Sequence, residues 1–123
     1  MPSLKILTNL TKEKIPNGML SKFSTLLAEL MRMDPTQFSC IITTECSLSL
    51  NGNTNEPAIV GTLESIGNLG PDENKRIMKR LSELIEKELK IKPDRFLLTF
   101  YDLKAHEVGY GGTTVDAWQN EDK

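Results

Sequence analysis

Apolar residues recur along this chain at two different periods, and the changes of period mark its elements. Residues 4–7 form a short apolar stretch that predicts an opening strand. Pro16-Asn17-Gly18 then punctuates the chain. Met19, Leu20, Phe23, Leu26, Leu27, Leu30 and Met31 follow at steps of three and four, which is one face of a helix. Asn17 is placed to cap that helix, because its side chain can accept an orphan backbone N–H. Asp34-Pro35 ends it, since the residue before a proline is pushed out of the α region.

Residues 38–44 (Phe38, Ser39, Cys40, Ile41, Ile42, Thr43, Thr44) read as a strand. Residues 47–50 are a candidate short strand before the turn composition of Asn51-Gly52-Asn53-Thr54-Asn55. Residues 58–63 are a further apolar run, followed by the loop Ser65-Ile66-Gly67-Asn68-Leu69-Gly70. Pro71 suits a first helical turn, with Asp72 and Glu73 favoured at the positive end of the dipole. Ile77, Met78, Leu81, Leu84, Ile85 and Leu89 make the second amphipathic stripe, with Lys87 and Lys90 near its end and Lys92-Pro93-Asp94 as its stop. Residues 95–101 are the strongest strand pattern, and Gly109-Tyr110-Gly111-Gly112 is a flexible turn. Residues 116–123 are a mostly polar tail expected to fray.

The order strand, helix, strand, strand, helix, strand repeats one β-α-β unit twice. It fits either a ferredoxin-like antiparallel sheet or two parallel β-α-β units side by side. Phe96, Leu98 and Phe100 point to one face of their strand, and Leu97, Thr99 and Tyr101 to the other. Ile41 beside Ile42 and Ile59 beside Val60 repeat that pairing. Both faces of the sheet therefore read as largely apolar, yet two helices cover only one. The second face is expected to pack on other subunits, the alternative being a monomer whose loops cover it.

Composition narrows the function classes. The 123 residues are one domain's worth of chain, and 15 basic against 17 acidic side chains leave a net charge of −2. That balance lacks the basic bias of a nucleic-acid-binding surface. No apolar run approaches the roughly 20 residues of a membrane span, so no membrane insertion is expected. Met1-Pro2-Ser3-Leu4-Lys5 lacks the basic-then-apolar order of a signal peptide. Two cysteines and one histidine make no zinc set and no disulfide framework. Cys40 reads as a buried structural thiol, and His106 as a strand-edge or surface residue.

Pro2 is the candidate for chemistry. Methionine is trimmed when a small residue follows, which frees the secondary amine of Pro2. At the start of a buried strand, desolvation disfavours the cation and lowers the pKa below the ordinary α-amino value of about 7.7–8.0. Such an amine is a neutral base near neutral pH.

Several motifs in order set Pro2 in context. Met1-Pro2, Thr8-Asn9-Leu10, Ile15-Pro16-Asn17-Gly18, Asn55-Glu56-Pro57-Ala58 and Glu64-Ser65-Ile66-Gly67 are followed by Pro93-Asp94-Arg95 and Phe100-Tyr101-Asp102-Leu103. Val108-Gly109-Tyr110-Gly111-Gly112-Thr113-Thr114 closes the series. Together they resemble the macrophage migration inhibitory factor family of the tautomerase superfamily, over residues 1–115, leaving 116–123 as the tail. The resemblance implies an α+β fold: two β-α-β units in a four-stranded mixed sheet, both helices on one face, three subunits forming a homotrimer with sites between them. It implies a cofactor-free keto–enol tautomerase acting on a small enolisable α-keto acid or ester, or a related enolisable compound, with phenylpyruvate and dopachrome-type substrates. It also implies a second possibility, a secreted cytokine-like ligand of a cell-surface receptor whose pocket is vestigial. Synthesis would be cytoplasmic and any secretion unconventional.

The same resemblance assigns residues. Pro2 matches the catalytic base, and Ser65 and Ile66 match the loop whose backbone contacts substrate. The family's carboxylate-binding lysine is matched by Asp34, which would repel a carboxylate. Arg32, two residues away, either takes the lysine's place or is a solvated helix-end cation. Leu97 and Thr99 match a pocket tyrosine and asparagine that come from a neighbouring subunit. Phe38 and Tyr110 stand at aromatic pocket positions, and Val115 where phenylalanine is frequent. The implied pocket keeps its base and loses polar groups, so turnover is expected to be weak or shifted toward uncharged esters. The family's Cys-x-x-Cys pair is matched by Ala58-Ile59-Val60-Gly61, so thiol–disulfide chemistry is not implied.

Overall fold

A central strand carries the site, and its neighbours explain why. The computed structural model describes residues 1–121. Strand β1 (Ser3–Thr8) alternates buried Leu4, Ile6 and Thr8 with outward Ser3, Lys5 and Leu7. It runs parallel to β2 (Ser39–Thr43) and antiparallel to β3 (Ile59–Ser65), and β3 runs parallel to β4 (Phe96–Asp102). The sheet order is β2-β1-β3-β4. Each parallel pair is joined by a helix, α1 (Met19–Met31) or α2 (Pro71–Leu89). This is the arrangement of two β-α-β units side by side, and the ferredoxin-like alternative does not form.

Both helices pack on one sheet face. Leu4, Ile6, Ile59, Leu63, Phe96 and Leu98 from the strands share one core with Phe23 and Leu27 of α1 and Ile77, Leu81 and Ile85 of α2. Each such buried side chain contributes roughly 1.5–3 kcal/mol relative to exposure. The opposite face is bare and mixed rather than largely apolar. In register, Leu7, Val60 and Leu97 line up in one apolar row, but Lys5, Thr62 and Thr99 form the next beside Ile41. Lys5 pairs there with Glu64 at 3.0 Å. The two-sided apolar reading counted neighbours along each strand and not the rows across them.

Helix ends differ from the sequence expectation in detail. Helix α1 starts from Gly18 in the left-handed conformation (φ 80°) with no side-chain cap, so Asn17 does not serve as one. It ends one residue before Arg32, itself left-handed at φ 54°. Residues 47–50 are not a strand; Leu50 alone bridges to Asn53. The stretch from residue 50 to residue 57 is held by Arg95, only 5% exposed. Its guanidinium donates to the carbonyls of Leu50 at 2.8 Å, Glu56 at 2.9 Å, Asn53 at 3.1 Å and Pro57 at 3.3 Å.

After β4 the chain makes a hairpin of β5 (Gly109–Tyr110) and β6 (Thr113–Thr114). Gly111 and Gly112, at φ 68° and 86°, meet the tight turn's need for two left-handed residues. Helix α3 (Val115–Glu121) follows where polar composition suggested a fraying tail. Asp116 starts it by accepting hydrogen bonds from the Thr114 hydroxyl and the Ala117 N–H. The last two residues of that tail, Asp122 and Lys123, lie outside the described residues. Among the described residues no helix is long and apolar enough to cross a membrane.

Candidate active site

Pro2 is buried at the entry to the central strand. Its carbonyl accepts the Ser39 N–H at 3.0 Å. Ser3 pairs with Ser39 on one side and Glu64 on the other, which sets Phe38 and Ser65 beside Pro2. Because Pro2 bonds toward β2, it and Ser65 form a pair without mutual backbone hydrogen bonds. Such pairs approach more closely, at about 4.5 Å between Cα atoms. Desolvation holds the Met1 amine below the usual α-amino range. Removing Met1 carries the terminus one residue further into the fold, to Pro2.

The loop after β3 forms one wall. Ser65 is 1% exposed, and its carbonyl accepts the Leu103 N–H at 2.8 Å. Its hydroxyl is buried without a hydrogen-bond partner among the described residues. Ile66 follows, half-buried, and Gly67 donates its N–H to the Asp102 carboxylate at 3.1 Å. The connection from α1 to β2 forms the facing wall. Asn68 and Met33 join the two walls through an Nδ2–H···Sδ contact of 3.5 Å.

Asp34 lies in this connection, exposed. Its Oδ1 accepts the Thr36 N–H at 2.9 Å and the Thr36 hydroxyl at 2.8 Å, capping the 3-10 turn Pro35–Gln37. These bonds hold its carboxyl below the usual range. Arg32 is exposed at the left-handed end of α1, and Phe38 is half-buried at the entry to β2.

Pro2, Ser65, Ile66, Phe38, Asp34 and Arg32 therefore share one end of the sheet. Leu97 and Thr99 do not join them within one chain. They face the bare side of β4, in register with Val60 and Thr62, and Leu97 is 49% exposed. Leu97 is also five residues from Asp102, about 16 Å along the strand. Tyr110 sits on β5, 51% exposed, with Trp118 edge-on at 5.8 Å between centroids. Val115 is buried within the same C-terminal unit.

Sequence reasoning named neither Tyr101 nor Trp118 as a site residue. Tyr101 stands exposed on the bare face, in the cross-sheet row of Ser39, Ser3 and Glu64 next to Pro2. Strand alternation put it on the face of Leu97 and Thr99, which was the available signal. Trp118 follows Val115 by three residues, a helical spacing hidden by the polar tail around it.

The family model described as Macrophage migration inhibitory factor (MIF) matches residues 1–116. The chain belongs to the macrophage migration inhibitory factor family. The Mus musculus macrophage migration inhibitory factor is 32% identical over 114 residues, covering 93% of this chain and 98% of the relative. The MIF-like protein mif-2 of Caenorhabditis elegans is 33% identical over 115 residues, covering 94% and 95%. The solved structure of the factor from Trichinella spiralis superposes with a TM-score of 0.86 at 31% identity, covering 91% of this chain and 98% of that one. The mixed four-stranded sheet under two helices is thus the fold of this family, within the tautomerase superfamily.

Proposed function

We propose that, with Met1 removed, the secondary amine of Pro2 is the general base of a cofactor-free keto–enol tautomerase. The observation that supports this most is the burial of Pro2 at the entry to β1, beside Phe38 on one side and Ser65 on the other. Neutral Pro2 takes the α-proton of an enolisable α-keto acid such as phenylpyruvate, or of a related enolisable acid or ester of the dopachrome type. It returns a proton to the carbonyl oxygen, so the reaction is an isomerisation with no net loss or gain. The bare sheet faces of three copies pack together, and Leu97 and Thr99 of one copy complete the site of the next. Arg32 and Asp34 lie at the substrate's carboxylate end, Phe38 and Tyr110 along its body, and the Ser65–Ile66 backbone against its polar edge.

Asp34 weakens capture of carboxylates, and turnover shifts toward uncharged esters. The test is an assay of mass-verified, Met1-free protein on phenylpyruvate and on a dopachrome ester, beside Pro2→Gly. Turnover lost in the variant supports Pro2 as base; equal turnover in both proteins rejects it.

A second reading rests on the Asp34 carboxylate, already engaged by Thr36, and on the apolar Leu97. In it the pocket is vestigial, and the trimer, made in the cytoplasm and secreted unconventionally, is a cytokine-like ligand for a cell-surface receptor. A cellular response unchanged by Pro2→Gly, from a protein without turnover, favours it.

A further inference from the structure

Ser65 carries a buried hydroxyl that neither the fold nor the proposed reaction uses. The residue is 1% exposed, and its Oγ has no hydrogen-bond partner among the described residues. Thr8, the buried hydroxyl at the other end of β1, is satisfied twice. It donates to the Ala58 carbonyl at 2.8 Å and accepts the Leu10 N–H at 3.2 Å. A buried polar group without a partner is costly, so the Ser65 hydroxyl calls for an explanation.

Strand register supplies one. Leu4 pairs with Leu63 and Ser3 with Glu64, so Pro2 and Ser65 are the next pair. Leu63 and Ser65 are buried on β3, as Pro2 and Leu4 are on β1, which sets the Pro2 ring and the Ser65 side chain on the core face together. Side chains directly opposite stand about 4.5–5.5 Å apart at Cβ, and closer in pairs without mutual backbone hydrogen bonds. The nitrogen of Pro2 belongs to that ring. With Met1 attached it is an amide nitrogen with no hydrogen to donate and its lone pair delocalised into the carbonyl. With Met1 removed it is a secondary amine, which donates when protonated and accepts when neutral. The processing that creates the base also creates a partner for the hydroxyl.

We infer that the Ser65 hydroxyl is the hydrogen-bond partner of the Pro2 amine in Met1-free protein, accepting from its protonated form and so setting its orientation and basicity. The inference rests on the Pro2 reading and gives a side-chain role to a residue used there only through its backbone. A hydroxyl that accepts from a cation makes a charge-assisted bond, roughly twice as strong as a neutral one. It favours the charged amine and opposes the desolvation that favours the neutral one. The charged groups at this end of the sheet are Arg32 and Asp34 after α1, Lys5 and Glu64 on the bare face, and Asp102 at the end of β4. Substitution at Ser65 leaves all of them in place.

The test is to titrate the Pro2 nitrogen by NMR in Met1-free protein carrying 15N-proline, beside Ser65→Ala. The variant is expected to titrate about half a unit to one unit lower. The acid limb of its pH–rate profile on phenylpyruvate moves down by the same amount, with KM within twofold. In protein made with Met1 retained, Ser65→Ala is expected to leave the urea midpoint unchanged or to raise it, and in Met1-free protein to lower it. A Pro2 titration unmoved or raised in the variant, or the same midpoint change in both forms, overturns the contact, while turnover dependent on Pro2 still upholds the base. A lowered titration in a protein without turnover upholds the contact and rejects the base.

Discussion

A Cβ on Gly61 would stand 2.5 Å from the carbonyl oxygen of Lys5, so β1 and β3 touch backbone to backbone at this pair. The contact is between main chains, and neither can yield without moving the strand that ends at Pro2. Gly61→Ala is expected to destabilise the fold by about 1–3 kcal/mol. Urea denaturation checks this: the midpoint falls while the slope stays the same. An unchanged midpoint would mean that the strands can separate here at little cost.

Arg95 gathers four carbonyls from residues 50–57, with no acidic partner among the described residues. Arg95→Met removes a charged donor from all four; Leu50, Asn53 and Glu56 keep one other hydrogen bond each and the Pro57 carbonyl loses its partner, at an expected cost of about 1–3 kcal/mol. Amide exchange across 50–57 accelerates with it. Arg95→Lys recovers only part of the loss, because one ammonium cannot span the set. Full recovery by lysine would argue that charge, and not the fork geometry, holds the loop.

Burial pushes the Cys40 thiol up to about 11. At pH 8 about one molecule in a thousand then carries the thiolate, the form that reacts. Cys40 is half-buried and not sealed, so a disulfide reagent is expected to label it in native protein slowly, in step with this thiolate fraction, and much faster once the chain is unfolded. Rapid labelling of Cys40 in folded protein, read by peptide mass, contradicts the burial.

The Thr36 hydrogen bonds lower the Asp34 pKa. The sign follows: this carboxylate's contribution is complete above the ordinary value of about 3.9 and is lost as pH falls through its lower folded value. Above pH 5 the group is an anion at the candidate site. Asp34→Lys is expected to lower KM for phenylpyruvate severalfold and to leave KM for an uncharged ester unchanged. Equal effects on acid and ester would place Asp34 away from the carboxylate.

Most of the fold was legible in the sequence because its periods are clean. The apolar stripes of α1 and α2 and the alternation of β4 fixed the element order. The choice between two sheet topologies was not legible, since pairing of β1 with β2 is decided by contacts between distant segments. Gly18 displaced Asn17 as the cap because the entry turn needs a left-handed residue. Residues 47–50 have strand-like composition, but only Leu50 finds a bridging partner, Asn53, and its carbonyl is shared with Arg95. At the site, Pro2 and the Ser65-Ile66 loop were legible from local motifs. That Leu97 and Thr99 face away from Pro2 follows from alternation. The Tyr110–Trp118 pair was hidden, because a lone tryptophan in a polar tail carries no periodic signal.

The central claim is that burial makes Pro2 a neutral base. The most direct measurement is the titration of its nitrogen in Met1-free protein carrying 15N-proline, followed by NMR from pH 4 to 10. The account predicts an apparent pKa below the ordinary α-amino range of about 7.7–8.0, matched by the rising limb of the pH–rate profile. A Pro2 nitrogen that titrates within or above that range contradicts it.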